Sequence, residues 1–325
     1  MNGVIPSLRA CAAVFAASLL CWAVPVSAQA PPAGPQDLSS GDAARLYNSA
    51  CAPCHGVLGD GRGLRADRLG SPQPRDFTPA VFKFRSTPTG SLPTDEDLFR
   101  TISRGVPGTW MPSWKSLLSE SERWAIVRYI KGFSEFFADE EPDPAVSIPP
   151  DPGSTQERVQ EGRLVYATLK CWQCHGALGR GDGPSADELE DDWDRQIWPY
   201  DFTRGGYKNG SAPADLYRTL LTGLTGTPMP AFEPAVVAYP GGTDADVAPM
   251  REALDAEGLR ALEAYLAEQP DGDQLATMTD AEVDALVERR MWALVHYVRS
   301  LDRGKSLFYK LFNENPEMDA VGGEQ

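Results

Sequence analysis

Two stretches of this sequence write the same residues in the same order: Cys51-x-x-Cys54-His55 and, 120 positions later, Cys171-x-x-Cys174-His175. Two thiols three positions apart lie on one side of a helical turn. From there they can add to the two vinyl groups on one edge of a porphyrin, while the next residue places its imidazole beneath the iron. The spacing is the attachment signature of c-type haem. A redox dithiol and half of a zinc site also use C-x-x-C. A thioredoxin-like pair has no need of a histidine after both copies, and two zinc sites would draw on only three histidines in the whole chain. Covalent haem at Cys51, Cys54, Cys171 and Cys174, with His55 and His175 as proximal iron ligands, accounts for every one of these residues.

Haem iron has a sixth position to fill, and a thioether donor there raises the reduction potential. Of seven methionines, two occupy matching contexts: "GVPGTWMP" holds Met111, and "GLTGTPMP" holds Met229. Met111 follows His55 by 56 residues, and Met229 follows His175 by 54. The phrases "DLFRTISRGVPGTWMP" and "DLYRTLLTGLTGTPMP" align without a gap from Asp97 and Asp215. A loop methionine is otherwise apolar filler. The same Gly-Thr-x-Met-Pro turn at nearly the same distance from each haem motif argues for Met111 and Met229 as iron ligands.

A CxxCH motif, a methionine loop some fifty residues later and a closing amphipathic helix resemble class I cytochrome c. The whole chain resembles a tandem dihaem cytochrome c, over residues 37–137 and, with one insertion at about 231–278, over 154–302. The resemblance implies an all-α fold: two consecutive cytochrome c-type helical domains, each wrapped around one covalent haem, with little or no β structure. It implies two covalently bound haem c groups. In such cytochromes a proline carbonyl commonly accepts the second ring N–H of the histidine. The repeated phrases "PRDFT" and "PYDFT" offer Pro74 and Pro199, with Pro72 and Pro184 as rivals. Arg75, Lys83 and Arg85 stand either as partners for haem propionates or as solvated surface charge.

Several elements are expected to position these groups. A helix feeds each first cysteine, with capping boxes at Ser39–Asp42 and Ser154–Glu157. Tyr47 and Tyr166, four and five residues before the cysteine, are placed to pack on the closing helix. Glycines follow each histidine: Gly56, Gly59, Gly61 and Gly63, then Gly176, Gly179, Gly181 and Gly183. No strand, Lys-Ser/Thr or dinucleotide context surrounds them, so they read as loops whose backbone hugs the haem edge. Closing helices start at the boxes Ser119–Glu122 and Thr279–Glu282. "WAIVRYI" matches "WALVHYV" residue for residue, which puts His296 opposite Arg128 at an ordinary helix position. The insertion holds a helix candidate of its own over 250–269. Residues 138–153 carry five prolines and five acidic residues and read as a stiff, extended linker. Residues 303–325 form a tail with the aromatic cluster "SLFYKLF".

The first 28 residues read as an export signal: Arg9, an apolar run, then small residues ending at Val26 and Ala28. Cleavage after Ala28 removes Cys11 and Cys21 and leaves the four motif cysteines. No later segment is apolar enough to span a bilayer, so the mature chain is expected in the periplasm. An uncleaved run would instead anchor it to the membrane.

The 325 residues suggest two domains, and 42% hydrophobic content is enough for packed cores. Net charge is −16, unevenly divided: residues 29–145 hold 13 basic and 15 acidic side chains, residues 146–325 hold 16 and 31. Nucleic-acid binding is excluded, since its footprint is basic. An acidic second domain suits docking of a basic redox partner, although solubility or a salt-rich habitat would select the same charge. The expected function is electron transfer between redox partner proteins, by a carrier rather than a catalyst. Two alternatives stand beside it. A dihaem peroxidase-like enzyme needs one open iron position and an acid–base group. A haem subunit of a larger respiratory or periplasmic oxidoreductase complex would use the insertion as its docking element.

Overall fold

The computed structural model describes residues 38–302 except 71, 239–246, 248–249 and 252–253. The expected signal segment and the tail 303–325 lie outside the described residues. Among the described residues there is no strand, only an isolated antiparallel bridge between Glu190 and Gln196, so the all-α expectation holds. No helix among them is long and apolar enough to cross a membrane.

The first half begins with α1 (Ser40–Ala50), whose cap Ser39 accepts a hydrogen bond from Asp42 N, the forward half of the expected box without its reciprocal bond. The chain turns at Cys51 into the single-turn α2 (Ala52–His55). Short α3 (Ala66–Leu69), then α4 (Asp95–Arg104), α5 (Glu120–Lys131) and α6 (Phe136–Asp139) follow. Helix α5 starts at the expected Ser119–Glu122 box. A further box, Thr94–Asp97, opens α4. Helix α5 packs across both α1 and α4. Tyr47, Ile102, Ile126, Val127 and Ile130 share the core there. Tyr47 is fully buried between Tyr129 and Phe133, with ring centroids 5.0 Å away in both cases.

The second half repeats this order with α7 (Gln156–Thr168), α8 (Trp172–His175), α9 (Pro213–Thr222) and the closing helix α13 (Asp280–Ser300). The cap of α7 is Thr155, which accepts from Arg158 N at 3.2 Å, rather than the expected Ser154. Gly153, at φ +80°, donates its N–H to the Asp151 carboxylate and carries the preceding turn one residue further. Helices α7 and α13 cross closely at Gly162. A Cβ at Gly162 would overlap the carbonyl of Ala293 and sit 2.7 Å from Tyr297 Cβ. Tyr166 packs edge-on against Tyr297 of the closing helix at 5.3 Å, where Tyr47 meets Tyr129 of its own closing helix at a tilt.

The insertion supplies α10 (Pro234–Ala238), α11 (Ala256–Ala267) and α12 (Gly272–Thr277). Asp255 caps Gly258 N at 2.8 Å, so α11 starts six residues inside the stretch proposed from sequence. Val237, Val247, Met250, Leu254 and Leu262 join the second core. Arg290 of α13 is buried and donates Nη1 to the carbonyls of Val237 and Ala238, both at 2.7 Å. The insertion is therefore built into the second half.

From residue 140 to Thr155 the linker has no regular structure, and it is pinned at both ends. Val146 N donates to Ser86 O at 2.7 Å and Asp143 N to Ser91 Oγ at 2.9 Å. Asp151 Oδ1 lies 2.8 Å from His296 Nε2. Direct contacts also join the halves. Arg85 and Thr89 both donate to the carbonyl of Thr222, at 2.8 and 2.9 Å, and Arg104 pairs with Asp215 at 3.3 Å.

The close crossing yields a stability prediction. Gly162→Ala should lower unfolding free energy by about 2 kcal/mol through overpacking. Gly41→Ala, whose new methyl would meet only ordinary contacts at 3.7 and 3.8 Å, should leave it near wild type. Urea titrations followed by helical circular dichroism compare the two.

Candidate functional site

Each CxxCH motif occupies one helical turn, which puts both thiols and the imidazole on a short rigid piece of backbone. The four cysteines are free thiols. Burial pushes Cys51 up to about 12, with the neighbouring Cys54 adding to the shift, and burial likewise raises Cys171 to about 12. Among the described residues no group of His, Cys, Asp and Glu is arranged to hold a metal ion.

The two histidines are fixed alike. His55 Nδ1 lies 3.0 Å from Arg75 O, and His175 Nδ1 lies 3.0 Å from Tyr200 O. The acceptor is thus the residue after the proline, not Pro74 or Pro199 themselves. The proline carbonyls face the glycine loop instead: a Cβ on Gly61 would be 2.7 Å from Pro74 O, and one on Gly181 would be 2.6 Å from Pro199 O. The Asp-Phe-Thr phrase has a second use that sequence did not reveal. Phe77 stacks on His55 at 4.6 Å, and Phe202 stacks on His175 at 4.3 Å. Backbone bonds from Phe77 N to Gly59 O (2.7 Å) and from Phe202 N to Gly179 O (2.8 Å) hold the phrase against the glycine loop. Tyr47 and Tyr166 donate their hydroxyls to Gly56 O and Gly176 O at 2.8 and 2.7 Å, which ties the feeding helix to the residue after each histidine.

With Nδ1 committed to a carbonyl, Nε2 of each ring is the nitrogen left for a metal. Burial holds both imidazoles below the usual histidine range, and so neutral, which is the form that ligates. A covalent haem fits this donor set: two free thiols, one oriented neutral imidazole and a surrounding apolar core in each half. The indole N–H of Trp172, between the two cysteines of the second motif, is buried without a partner among the described residues, as a donor beside a group that brings its own acceptors would be.

The methionine turns are as alike as the histidines. Val106 N donates to Met111 O (3.0 Å), and Leu224 N donates to Met229 O (3.1 Å). Thr109 Oγ1 donates to Val106 O and accepts from Met111 N, at 2.8 and 3.1 Å. Thr227 does the same with Leu224 O and Met229 N, at 2.7 and 3.3 Å. The glycine before each turn needs φ > 0: Gly105 lies at +69° and Gly223 at +61°, each against backbone of the turn it opens. Helix α4 leads into the first turn and α9 into the second, and each packs on the closing helix of its half. That packing connects the methionine turn to the helix feeding the cysteines.

The basic candidates separate. Arg85 spends its Nε on Pro88 O (3.1 Å) and its Nη2 on Thr222 O, so it is a tie between halves. Burial pushes Arg75 down to about 10, opposed in part by Asp191, and pushes Lys83 to about 8, with Arg75 adding to the shift. Both remain cationic at neutral pH. His296, 3% exposed and held by Asp151, anchors the linker, in keeping with its ordinary helix position.

Comparison with known proteins assigns both halves. A family model described as cytochrome c oxidase, cbb3-type, subunit III matches residues 40–130, and one described as cytochrome c matches residues 159–270. The chain is 36% identical over 99 residues to cytochrome c55X of Paracoccus denitrificans (strain Pd 1222), covering 30% of this chain and 79% of that protein. A solved chain of the Kuenenia stuttgartiensis reducing HAO-like protein complex Kustc0457/Kustc0458 is similar with a TM-score of 0.62 and 37% identity. That match covers 83% of this chain and 98% of the other.

The threonine hydroxyls should be what makes each methionine turn rigid. Thr227→Val removes one acceptor and one donor, a loss of about 1–2 kcal/mol. Hydrogen exchange at the Met229 amide should quicken about tenfold or more, while exchange at Met111 stays unchanged.

Proposed function

We propose, from the premise that this chain belongs to the cytochrome c family and is an electron-transfer haem protein with two cytochrome c domains in tandem, that one histidine and one methionine hold each iron. His55 and Met111 serve the first haem, attached through Cys51 and Cys54. His175 and Met229 serve the second, attached through Cys171 and Cys174. The observation that carries this reading is the duplicated methionine turn. Its threonine and carbonyl bonds recur atom for atom, although the residues between the motifs differ in number and kind.

A bound haem supplies a one-electron couple at its iron. The protein's own residues set the terms on which that couple works. Arg75 O and Tyr200 O lock the imidazoles in one tautomer and orientation. A thioether ligand from Met111 or Met229 would raise the potential. Were a histidine and a methionine to hold each iron as proposed, no position would be left for a substrate, which favours a carrier over a peroxidase. Leader-like residues 1–28 support export to the periplasm as the place of action.

A specific observation also favours service within a larger assembly. The solved relative, matched over 98% of its chain, belongs to the reducing HAO-like protein complex named above. In this chain the described part of the insertion is tied to α13 by Arg290 and shares the second core, which suits it to meet a partner. The acidic second half suits a basic partner.

Two experiments test the reading. Met111→His and Met229→His should each lower the potential of the substituted haem alone in a spectroelectrochemical titration. Carbon monoxide added to the reduced wild-type holoprotein should leave the spectrum nearly unchanged. Ready binding at one haem would mark an open position there and favour the enzyme instead.

A further inference from the structure

Between its glycine loop and its Asp-Phe-Thr phrase the second half carries five more residues than the first, and they form a tight turn. Asp191 N donates to Arg195 O at 2.9 Å, and the Asp191 carboxylate accepts from Trp193 N and Arg195 N at 3.1 and 3.2 Å. Asp194 at φ +56° closes the turn. Trp193 stands at its tip.

This turn meets both candidate haem sites. On one side the Arg75 guanidinium lies over the Trp193 ring, 4.4 Å from its centroid. Arg75 is also the residue whose carbonyl fixes His55. On the other side Asp192 N donates to Gly226 O at 3.3 Å, within the loop that ends at Met229. A Cβ on Gly226 would be 3.0 Å from Trp193 and 3.3 Å from Arg75 Nη1. The equivalent Gly108 in the first methionine loop has nothing within 4 Å. Arg75 therefore fixes the first histidine through its carbonyl, and its guanidinium lies on the turn that is bonded to the loop of the second methionine. Its Nη1 is buried with no hydrogen-bond partner among the described residues. Asp191, Asp192 and Asp76 are the acidic side chains near enough to act on it, and Arg195 is the basic one.

We propose that Arg75 is a positioning residue shared by the two haems, whose buried charge raises the reduction potential of both, the Trp193 turn holding it against the second site. A cation in a low-dielectric setting disfavours the ferric state, which carries one more positive charge than the ferrous. The inference rests on His55 and Met229 being ligands.

The test is a spectroelectrochemical titration of the holoprotein, with haem content and helical circular dichroism checked for every variant. Arg75→Gln should lower the ratio of reduced to oxidised iron at fixed applied potential at both haems, by up to about tenfold, which is about 59 mV for a one-electron couple. Arg75→Lys should stay near wild type at both. Asp191→Asn removes a counter-charge without touching either ligand, and should move both potentials the opposite way. Trp193→Leu keeps the charge but loosens the turn, and should lower the second haem more than the first. If Arg75→Gln leaves either haem unmoved, or Arg75→Lys falls as far as Arg75→Gln, the shared-charge role is overturned. Should Arg75→Gln fail to fold, unmoved potentials in Asp191→Asn overturn it instead. Wild-type protein without a methionine-ligated spectrum would sink the ligation scheme, a result distinct from normal ligation with potentials that ignore Arg75.

Discussion

The hydrogen bond between a histidine Nδ1 and a backbone carbonyl, 3.0 Å in both halves, is the constraint on which the rest of each half is arranged. An imidazole has two nitrogens, and only a fixed partner on one commits the other to a metal. The acceptor lies 20 residues after the histidine in one half and 25 in the other, so the chain must return to within bonding distance. The glycine loop allows that return, because side chains on Gly61 or Gly181 would collide with the proline carbonyls passing beside them. A phenylalanine two residues past the acceptor then stacks on the ring, and a tyrosine hydroxyl from the feeding helix secures the residue after it. Four separate pieces of chain thus meet at one imidazole.

Around that shared centre the two halves diverge where they meet other parts of the molecule. The first keeps a short closing helix and an open methionine loop, with Trp110 70% exposed beside Met111. The second lengthens its closing helix to 21 residues and covers it with the insertion through Arg290. It also covers its methionine loop with the Trp193 turn. Haem-site geometry is the duplicated property. Surroundings, and with them charge and access, differ between the halves.

Much of this was legible in the sequence because it is local. Capping boxes at Ser119 and Thr279, the tyrosines on the closing helices and the cytochrome c class follow from spacings of three to five residues or from repeated phrases. The duplicated turn at Met111 and Met229 was visible as a phrase, and its hydrogen bonds explain why Gly, Thr and Met recur together. Less local features were misplaced by small amounts. The α7 cap moved from Ser154 to Thr155 because Gly153 extends the turn. The acceptor for each histidine moved by one residue, since a repeated phrase fixes a neighbourhood and not which carbonyl in it points inward.

What the sequence by itself determined is the chemistry of each half: two thiols and a histidine on one turn, a methionine turn at a fixed distance, and helices to hold them. All of these rest on near-neighbour spacing, which backbone geometry converts directly into local shape. Only the tertiary structure decided how residues far apart in the chain are paired. It took Arg85 from a candidate cofactor partner to a tie on Thr222, gave His296 to the linker through Asp151, and set Arg75 of one half on Trp193 of the other. The physical reason is that a side chain's partner across 100 or more residues depends on how whole helices pack, and no spacing along the chain records that.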